Sequence, residues 1–392
     1  MISRFFAAVV LIGLATFSAS SQQPPEGAWS FAVSGDSRNC GDVVMPAIAA
    51  GALRNNVKLY WHLGDFRAMY GVDEDMQALY GKSLSSDEYR RIGWGDFLAH
   101  QIAPFGLLPV YLGIGNHELY KDQDKSKPQA QNDAQSRADF RAQFGYWLLR
   151  PEIVQTPLQG KPDSPEIYYH WTERHVDFIN LDNADNDGFD EGQLNWLERV
   201  LEYDKTDATL KTVVVGMHRA LPNSLGCGHS MNGDPVAAND PNREAKLEAN
   251  RDSTESGRKA YEDLAKFEKE TGKPVYVLAS HSHFYMENIF QTDYWRNRNE
   301  VLEGWIVGTA GARRYALPQD LPPAIFAKAN IYGYLLGTVK PDGKIAFQFQ
   351  QLSESDVPET VQNRYGKEFV HECFVGNRDS AAHRSADSCN DK

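Results

Sequence analysis

The sequence predicts an α/β fold of two packed sheets flanked by helices, on two observations. Short apolar and β-branched runs alternate with helix-patterned segments along the chain, and further strand-like runs follow towards its C-terminal end. Alternating βα units that give way to strands bury their apolar faces by stacking two sheets and covering them with helices. The second observation is what the runs lead into. Phe31-Ala32-Val33, Leu59-Tyr60-Trp61, Val110-Tyr111-Leu112, Val213-Val214-Val215 and Val275-Tyr276-Val277-Leu278 are each closely followed by an aspartate, asparagine or histidine. Ligands bind at the carboxyl ends of strands in open α/β sheets, so separate strands are expected to deliver side chains to one site.

In chain order, residues 21–28 form a Pro-rich lead-in, and the first strand is expected over Trp29 to Ser34. Pro46 to Leu53 reads as a short helix. Leu119 to Ala134, rich in Lys, Gln and Asp, reads as a surface loop rimming the site. Tyr168 to Leu181 reads as two strands joined near Glu173-Arg174. Gln193, Leu194, Trp196, Leu197, Val200 and Leu201 fall on one helical stripe. Leu221 to Asn250 carries Gly, Pro, Asn and a cysteine and reads as a long loop, often a lid or rim in compact domains. Glu255 to Thr271 reads as a helix stopped by Gly272. Gly304 to Thr309, Tyr332 to Val339 and Ile345 to Gln350 read as strands completing the second sheet, with Pro341-Asp342-Gly343 turning between the last two. Residues 29–352 are expected to form one domain, and residues 353–392 a polar extension over its surface.

A chain of 392 residues with 42% hydrophobic and 24% charged residues has an ordinary globular composition. Its net charge of −13 argues against general nucleic-acid binding. It leaves a phosphate substrate open, because bound metal ions reverse the local field. Residues 1–20 read as a secretory signal peptide: Arg4, an apolar stretch from Phe5 to Phe17, then small residues at Ser18-Ala19-Ser20. The stretch falls short of the roughly 20 residues needed to span a bilayer, so no stable membrane anchor is expected. The expectation is an exported, periplasmic or extracellular protein. In an oxidising compartment an even number of cysteines favours disulfides. Cys40 and Cys227, each just after an expected site loop, are expected to meet at the rim, leaving Cys373 and Cys389 to close the tail.

Gly35-Asp36, Gly64-Asp65, Gly115-Asn116-His117-Glu118, His218 and His281-Ser282-His283 occur in that order. Each is a weak motif alone, but the ordered set resembles the calcineurin-like metallophosphoesterases, whose pattern is D-x-H, G-D, G-N-H-[DE], a lone His and G-H-x-H. The resemblance runs from Phe31 to Phe284, with Ser280 in place of the last glycine. It implies a four-layer αββα sandwich and a phosphate-ester substrate. It also implies two divalent or trivalent transition-metal ions, of the Mn, Fe or Zn type that oxygen and imidazole ligands suit. One ion would take Asp65, Asn116, His218 and His281; the other Asp36, Asp65 and His283, with Asp65 as the bridge. Such a pair makes a hydroxide nucleophile and clamps the phosphate. His117 matches the family histidine that helps the leaving group depart, by protonation or by stabilising developing charge.

The chain departs from the pattern at Asp36-Ser37-Arg38, where arginine, always a donor, cannot be a ligand. The tyrosine that purple acid phosphatases use instead, three residues after the bridging aspartate, is here Ala68. The second ion is therefore expected to be held more weakly. Arg38 either grips the substrate phosphate or forms a structural ion pair; arginine serves both. His62 reads as a packed histidine and His229 as solvent-facing. Trp94, Tyr120 and Trp147 read as core, and Gly308 to Gly311 as a tight turn at a sheet edge. Nothing marks a nucleotide pocket, which favours a phosphomonoesterase over a phosphodiesterase. The competing class is a catalytically weakened metal-binding interaction protein, motivated by Arg38.

Overall fold

In the computed structural model, residues 26–80, 84–119, 129–154, 166–185, 188–226, 229–233, 236–318 and 321–378 are described. The expected signal peptide, Tyr120, Cys227 and Cys389 lie outside them. The first half runs β1 (Trp29–Ser34), α1 (Gly41–Arg54), β2 (Tyr60–His62), α2 (Glu74–Tyr80), α3 (Ser86–Phe97), β3 (Val110–Leu112), α4 (Gln129–Leu148), β4 (Tyr169–Glu173) and β5 (Val176–Asn180). It continues α5 (Glu191–Thr206), β6 (Thr212–Met217), α6 (Arg243–Thr271), β7 (Val275–Ala279), β8 (Tyr285–Glu287), α7 (Asp293–Arg298) and β9 (Glu303–Val307). The chain then forms β10 (Ala327–Lys328), β11 (Tyr332–Val339), β12 (Ile345–Leu352), α8 (Glu359–Tyr365) and α9 (Lys367–Val375). No helix among the described residues is long and apolar enough to cross a membrane.

Two mixed sheets result, ordered β12-β11-β1-β2-β3 and β10-β8-β9-β7-β6-β5-β4. Period-two alternation decides what each strand face meets. On β6, Val214 joins the core between the sheets, while Val213 and Val215 pack outward with Trp196 and Leu197 of α5 and Leu264 of α6. Phe178 of β5 meets Phe31 of β1 edge-on, with ring centroids 5.0 Å apart, and Trp61 of β2 donates its indole N–H to Asn180 Oδ1 at 3.1 Å. Val43, Val44 and Ile48 of α1, with Phe97 of α3, cover the other face of the first sheet. These are the four expected layers, two mixed sheets flanked by helices.

Four expectations need correction. Strands β11 and β12 join the first sheet, not the second: β11 pairs antiparallel with β1, Val33 opposite Leu335. Without β11, β1 would present an open edge of unpaired backbone groups. The Gly308 run is no edge turn either, since β9 lies inside the second sheet between β8 and β7. A Cβ on Gly308 would sit 2.8 Å from Asp36 Oδ2, so glycine there lets this loop close over the site. Helices begin earlier than their stripes suggest. Val43 N–H and Val44 N–H both bond back to Cys40 O at 3.0 Å, starting α1 ahead of Pro46. Helix α6 extends back to Arg243 through exposed residues rich in Glu, Ala, Lys and Arg, which propagate a helix without needing a buried face.

The fourth correction concerns the disulfide. Cys40 pairs with Cys373, not with Cys227, so the expected Cys373–Cys389 link is excluded as well. Helix α8 packs on α1, where the Tyr365 hydroxyl donates to Asp42 Oδ2 at 2.7 Å, and α9 follows it directly. That brings the two Cα atoms to 5.8 Å, within disulfide reach, across a sequence separation of 333 residues. The residues after Leu352 thus include helices whose Val361, Tyr365, Val370 and Cys373 are buried. Closing so long a loop restricts the unfolded chain most, worth up to about 5 kcal/mol in the chain-entropy view. Cys373→Ser is expected to lower the denaturant midpoint under non-reducing conditions; an unchanged midpoint would contradict the link.

Candidate metal centre

The strand ends set the site. Asp36 follows β1, Asp65 follows β2, Asn116 and His117 follow β3, His218 follows β6, and His281 and His283 follow β7. Three of these residues sit in left-handed backbone, with φ of 61° at Asp36, 58° at Asp65 and 64° at His281. That conformation costs a non-glycine residue roughly 1–2 kcal/mol and persists only where the surroundings over-determine it. The surroundings do. The wholly buried Glu118 carboxylate accepts N–H bonds from Asp65 at 2.8 Å, Phe66 at 2.9 Å, Arg67 at 3.0 Å and Gly115 at 2.8 Å. Burial and the Asp65 charge push the Glu118 carboxyl up to about 8, against the bonds from Arg67, Gly115 and Asp65. Asp36 N–H donates to Gly64 O and Ser37 N–H to Asp65 O, both at 2.9 Å, and His281 N–H donates to Asp36 Oδ2 at 2.7 Å.

The structure brings all six expected ligands together. Asp65, His218 and His281 offer donor atoms within 4.8 Å of one another, and so do Asp36, Asp65 and His283, with Asp65 common to both groups. Asn116 Oδ1 lies 3.0 Å from His218 Nε2. Two observations fit this set to metal ions. Asp36 Oδ1 and Asp65 Oδ2 are buried with no hydrogen-bond partner, which an anion tolerates only beside a cation. They face His283 Nε2 at 3.2 Å and His218 Nε2 at 3.4 Å. On the far side of each ring, His283 Nδ1 donates to Arg313 O at 2.7 Å and His218 Nδ1 lies 3.1 Å from Leu63 O, the backbone bonds that orient ligating histidines. The carboxylate and the imidazoles also shift one another. Burial pushes the Asp65 carboxyl up, but His218, His117 and His281 outweigh it and hold it well below the usual carboxylate range. Burial lowers His218, and Asp65 more than reverses this, raising it to about 9.

His117 is oriented otherwise. Its backbone N–H donates to Asp65 Oδ1 at 2.8 Å, and its Nε2 lies 3.7 Å from Asp65 Oδ2. Arg38 Nη1 reaches His117 Nε2 at 2.8 Å, while Arg38 Nε lies 3.4 Å from Asp73 Oδ1. Asp73 is itself gripped by the Tyr89 hydroxyl at 2.5 Å and by Ala68 N–H at 3.3 Å. Arg38 therefore has the structural ion pair and also stands beside His117. Ala68 is buried and offers no ligand.

Four neighbours of the centre escaped sequence reasoning or were read differently. Tyr70 contacts both ring nitrogens of His117. Glu118 was legible only as the last letter of its motif. Tyr315 stacks on His283, ring centroids 4.1 Å apart, with no motif to announce it. His229, expected to face solvent, packs against His281 at 5.2 Å and Tyr315 at 5.3 Å, because the loop after β6 folds back over the strand ends. His62 is buried between Phe66 and Phe97, and its Nε2 bonds Ser37 Oγ at 2.9 Å. Burial takes its pKa down to about 3, so it is a neutral core residue. Behind the centre, wholly buried Arg67 holds Asp42 at 2.6 Å, Asp75 at 2.9 Å and Asp96 at 2.5 Å.

No protein-family model matches the chain, and no curated protein does. Among solved structures it is similar to the purple acid phosphatase PPD1 from seeds of yellow lupin (Lupinus luteus), at 15% identity over 94% of this chain and 57% of that one, with a TM-score of 0.51. It is also similar to PhoD, at 16% identity over 89% of this chain and 77% of that one, with a TM-score of 0.47. The chain spans 57% of the length of the lupin protein, and the likeness is one of fold. The fold shared with the lupin protein is two mixed sheets flanked by helices.

Proposed function

We propose that the chain is an exported, metal-dependent phosphoesterase that hydrolyses phosphate esters at a dinuclear centre, monoesters in preference to diesters. The observation that carries this reading is the pair of buried carboxylate oxygens, Asp36 Oδ1 and Asp65 Oδ2, that make no hydrogen bond and face the imidazoles of His283 and His218. When bound, ions of the Mn, Fe or Zn type supply Lewis acidity and a water of lowered pKa. Asp65, Asn116, His218 and His281 would hold one ion, and Asp36, Asp65 and His283 the other, more weakly for want of an imidazole at position 38. The protein's own residues do the remaining work. Backbone carbonyls fix the rings of His218 and His283, and Glu118 fixes the Asp65 turn. His117 and Arg38 form a positive, donor-rich side suited to phosphate oxygens and to charge developing on the departing oxygen. The Cys40–Cys373 bond supports an oxidising, exported setting. The monoester preference rests on the absence of any nucleotide-pocket motif in the sequence.

Chelator-treated protein is expected to be inactive towards p-nitrophenyl phosphate and to recover with added Mn, Zn or Fe, and to cleave the bis-ester more slowly. If metal-replete protein cleaves no phosphate ester, natural nucleotide and lipid phosphates included, the enzyme reading falls. Faster cleavage of the bis-ester would reverse the preference.

A further inference from the structure

We infer, resting on the dinuclear reading proposed above, that Arg314 is a positioning residue for the Asp36–Asp65–His283 half of the metal centre, and that through it the C-terminal helix α9 holds that half in place. The loop after β9 supports two of those three ligands from behind. Ala312 N–H donates to Asp36 O at 2.8 Å, and Tyr315 N–H donates to His283 O at 3.1 Å. Arg313 O lies 2.7 Å from His283 Nδ1, and the Tyr315 ring is stacked on the same imidazole at 4.1 Å. In the other half, His218 Nδ1 is held by Leu63 O and Ser280 Oγ instead, each at 3.1 Å. Supports of this kind aim a ligand at its metal and set how tightly the ion is held.

Arg314 stands in the chain between the two residues that hold His283, and its side chain is buried. The guanidinium binds the end of α9: Nε donates to Asn377 O at 3.0 Å, and Nη1 to Phe374 O at 2.8 Å and to Asn330 O at 3.2 Å. The last carbonyls of a helix have no partner within it, and a cation there also complements the helix dipole. Asn377 closes the link from the other side, its Nδ2 donating to Gly311 O at 3.0 Å and to the Tyr332 hydroxyl at 2.7 Å. The Cys40–Cys373 bond pins the same helix beside the Asp36 turn, where Cys40 N–H donates to Gly311 O at 3.2 Å. From Gly308 to Tyr315 the loop has no helix or strand of its own beyond a single bridge from Arg314 to Arg378. Its shape therefore depends on these contacts with the C-terminal segment, and the placing of Asp36 and His283 depends on its shape.

The test is calorimetric titration of zinc into the metal-free full chain, which reads both ions without any substrate. The wild type is expected to take up two, one held more tightly than the other. Arg314→Met keeps the apolar stem and removes the three carbonyl bonds. It is expected to weaken the looser ion roughly 10- to 100-fold, the usual cost of losing a support behind a ligand, and to leave the tighter ion unchanged. Arg314→Lys, which returns a charged donor, should recover part of the loss. Asn377→Ala leaves Arg314 in place and removes only the bonds to Gly311 and Tyr332; it should weaken the looser ion in the same sense, and it decides the matter if Arg314→Met does not fold. An unchanged second affinity in the folded variants overturns the inference. So does an equal loss at both ions, which would mark a merely structural role, or a wild type that takes up one ion only. If metal-loaded wild type cleaves no phosphate ester, the phosphoesterase reading fails on its own, and the two affinities still decide the role of Arg314.

Discussion

Asp65→Asn is expected to lower turnover of p-nitrophenyl phosphate by on the order of 10³-fold or more, the scale of the several kcal/mol that bound metal contributes to a transition state. Asp65 is the one side chain common to both ligand groups, and its Oδ2 is buried without a hydrogen-bond partner. Asparagine keeps the shape but removes the charge and offers one ligand oxygen in place of two. Metal content should therefore fall along with activity, from about two ions per chain to about one or fewer. The fold should survive, because Glu118 bonds the Asp65 backbone rather than its carboxylate. Metal analysis after dialysis, paired with thermal unfolding of the metal-free protein, separates these effects. An Asp65→Asn protein that keeps a full metal complement and wild-type turnover would remove Asp65 from the bridge position.

The second large effect lies behind the site. Arg67→Met is expected to destabilise the protein by about 3–5 kcal/mol near neutral pH, the usual result of removing one partner from a buried charge pair. Arg67 is wholly buried, and its loss leaves the Asp42 and Asp75 carboxylates without their main cation, while Asp96 keeps His100 at 2.8 Å. The pH dependence has a definite sign. Burial already raises Asp42 and Asp75 above the usual carboxylate range against the pull of Arg67, and without Arg67 both rise further. A carboxyl with a raised folded-state pKa binds its proton more tightly in the native state. Its contribution is present below the unfolded pKa, near 3.9, and is lost as pH climbs through the folded value. The variant should therefore lose stability more steeply than wild type as pH rises from about 5 to about 8, and its deficit should shrink on acidification. Urea unfolding at the two ends of that range measures this. An equal deficit at both would show that the carboxylates carry no net buried charge to relieve.

The sequence alone carried the candidate ligands' convergence on one site and much of the strand frame. Trp29 to Ser34 and Tyr332 to Val339 are strands with the expected ends. The Glu173-Arg174 joint is a hairpin turn with Arg174 at φ 57°, and Gly272 caps α6 at φ 69°. These features depend on near neighbours: residue alternation, a turn residue, a stop signal. The placing of the six candidate ligands was legible for the same reason, since each sits a short step past a strand.

What the sequence left open are contacts between distant segments. The Cys40–Cys373 bond spans 333 residues, and no local pattern prefers it to Cys227. The membership of β11 and β12 in the first sheet depends on the pairing of β11 with the edge of β1, a contact between the two ends of the domain. Tyr70 reads as an ordinary loop tyrosine until the loop closes on His117, and Arg38 reads only as a missing ligand until Asp73 and His117 appear on either side of it. Residue type and short-range spacing determine which atoms are available at each strand end. Which of those atoms meet, and in which ion pair, is decided by the packing of the whole chain, because the free energy of each such contact exists only once both partners have been brought together and shielded from water.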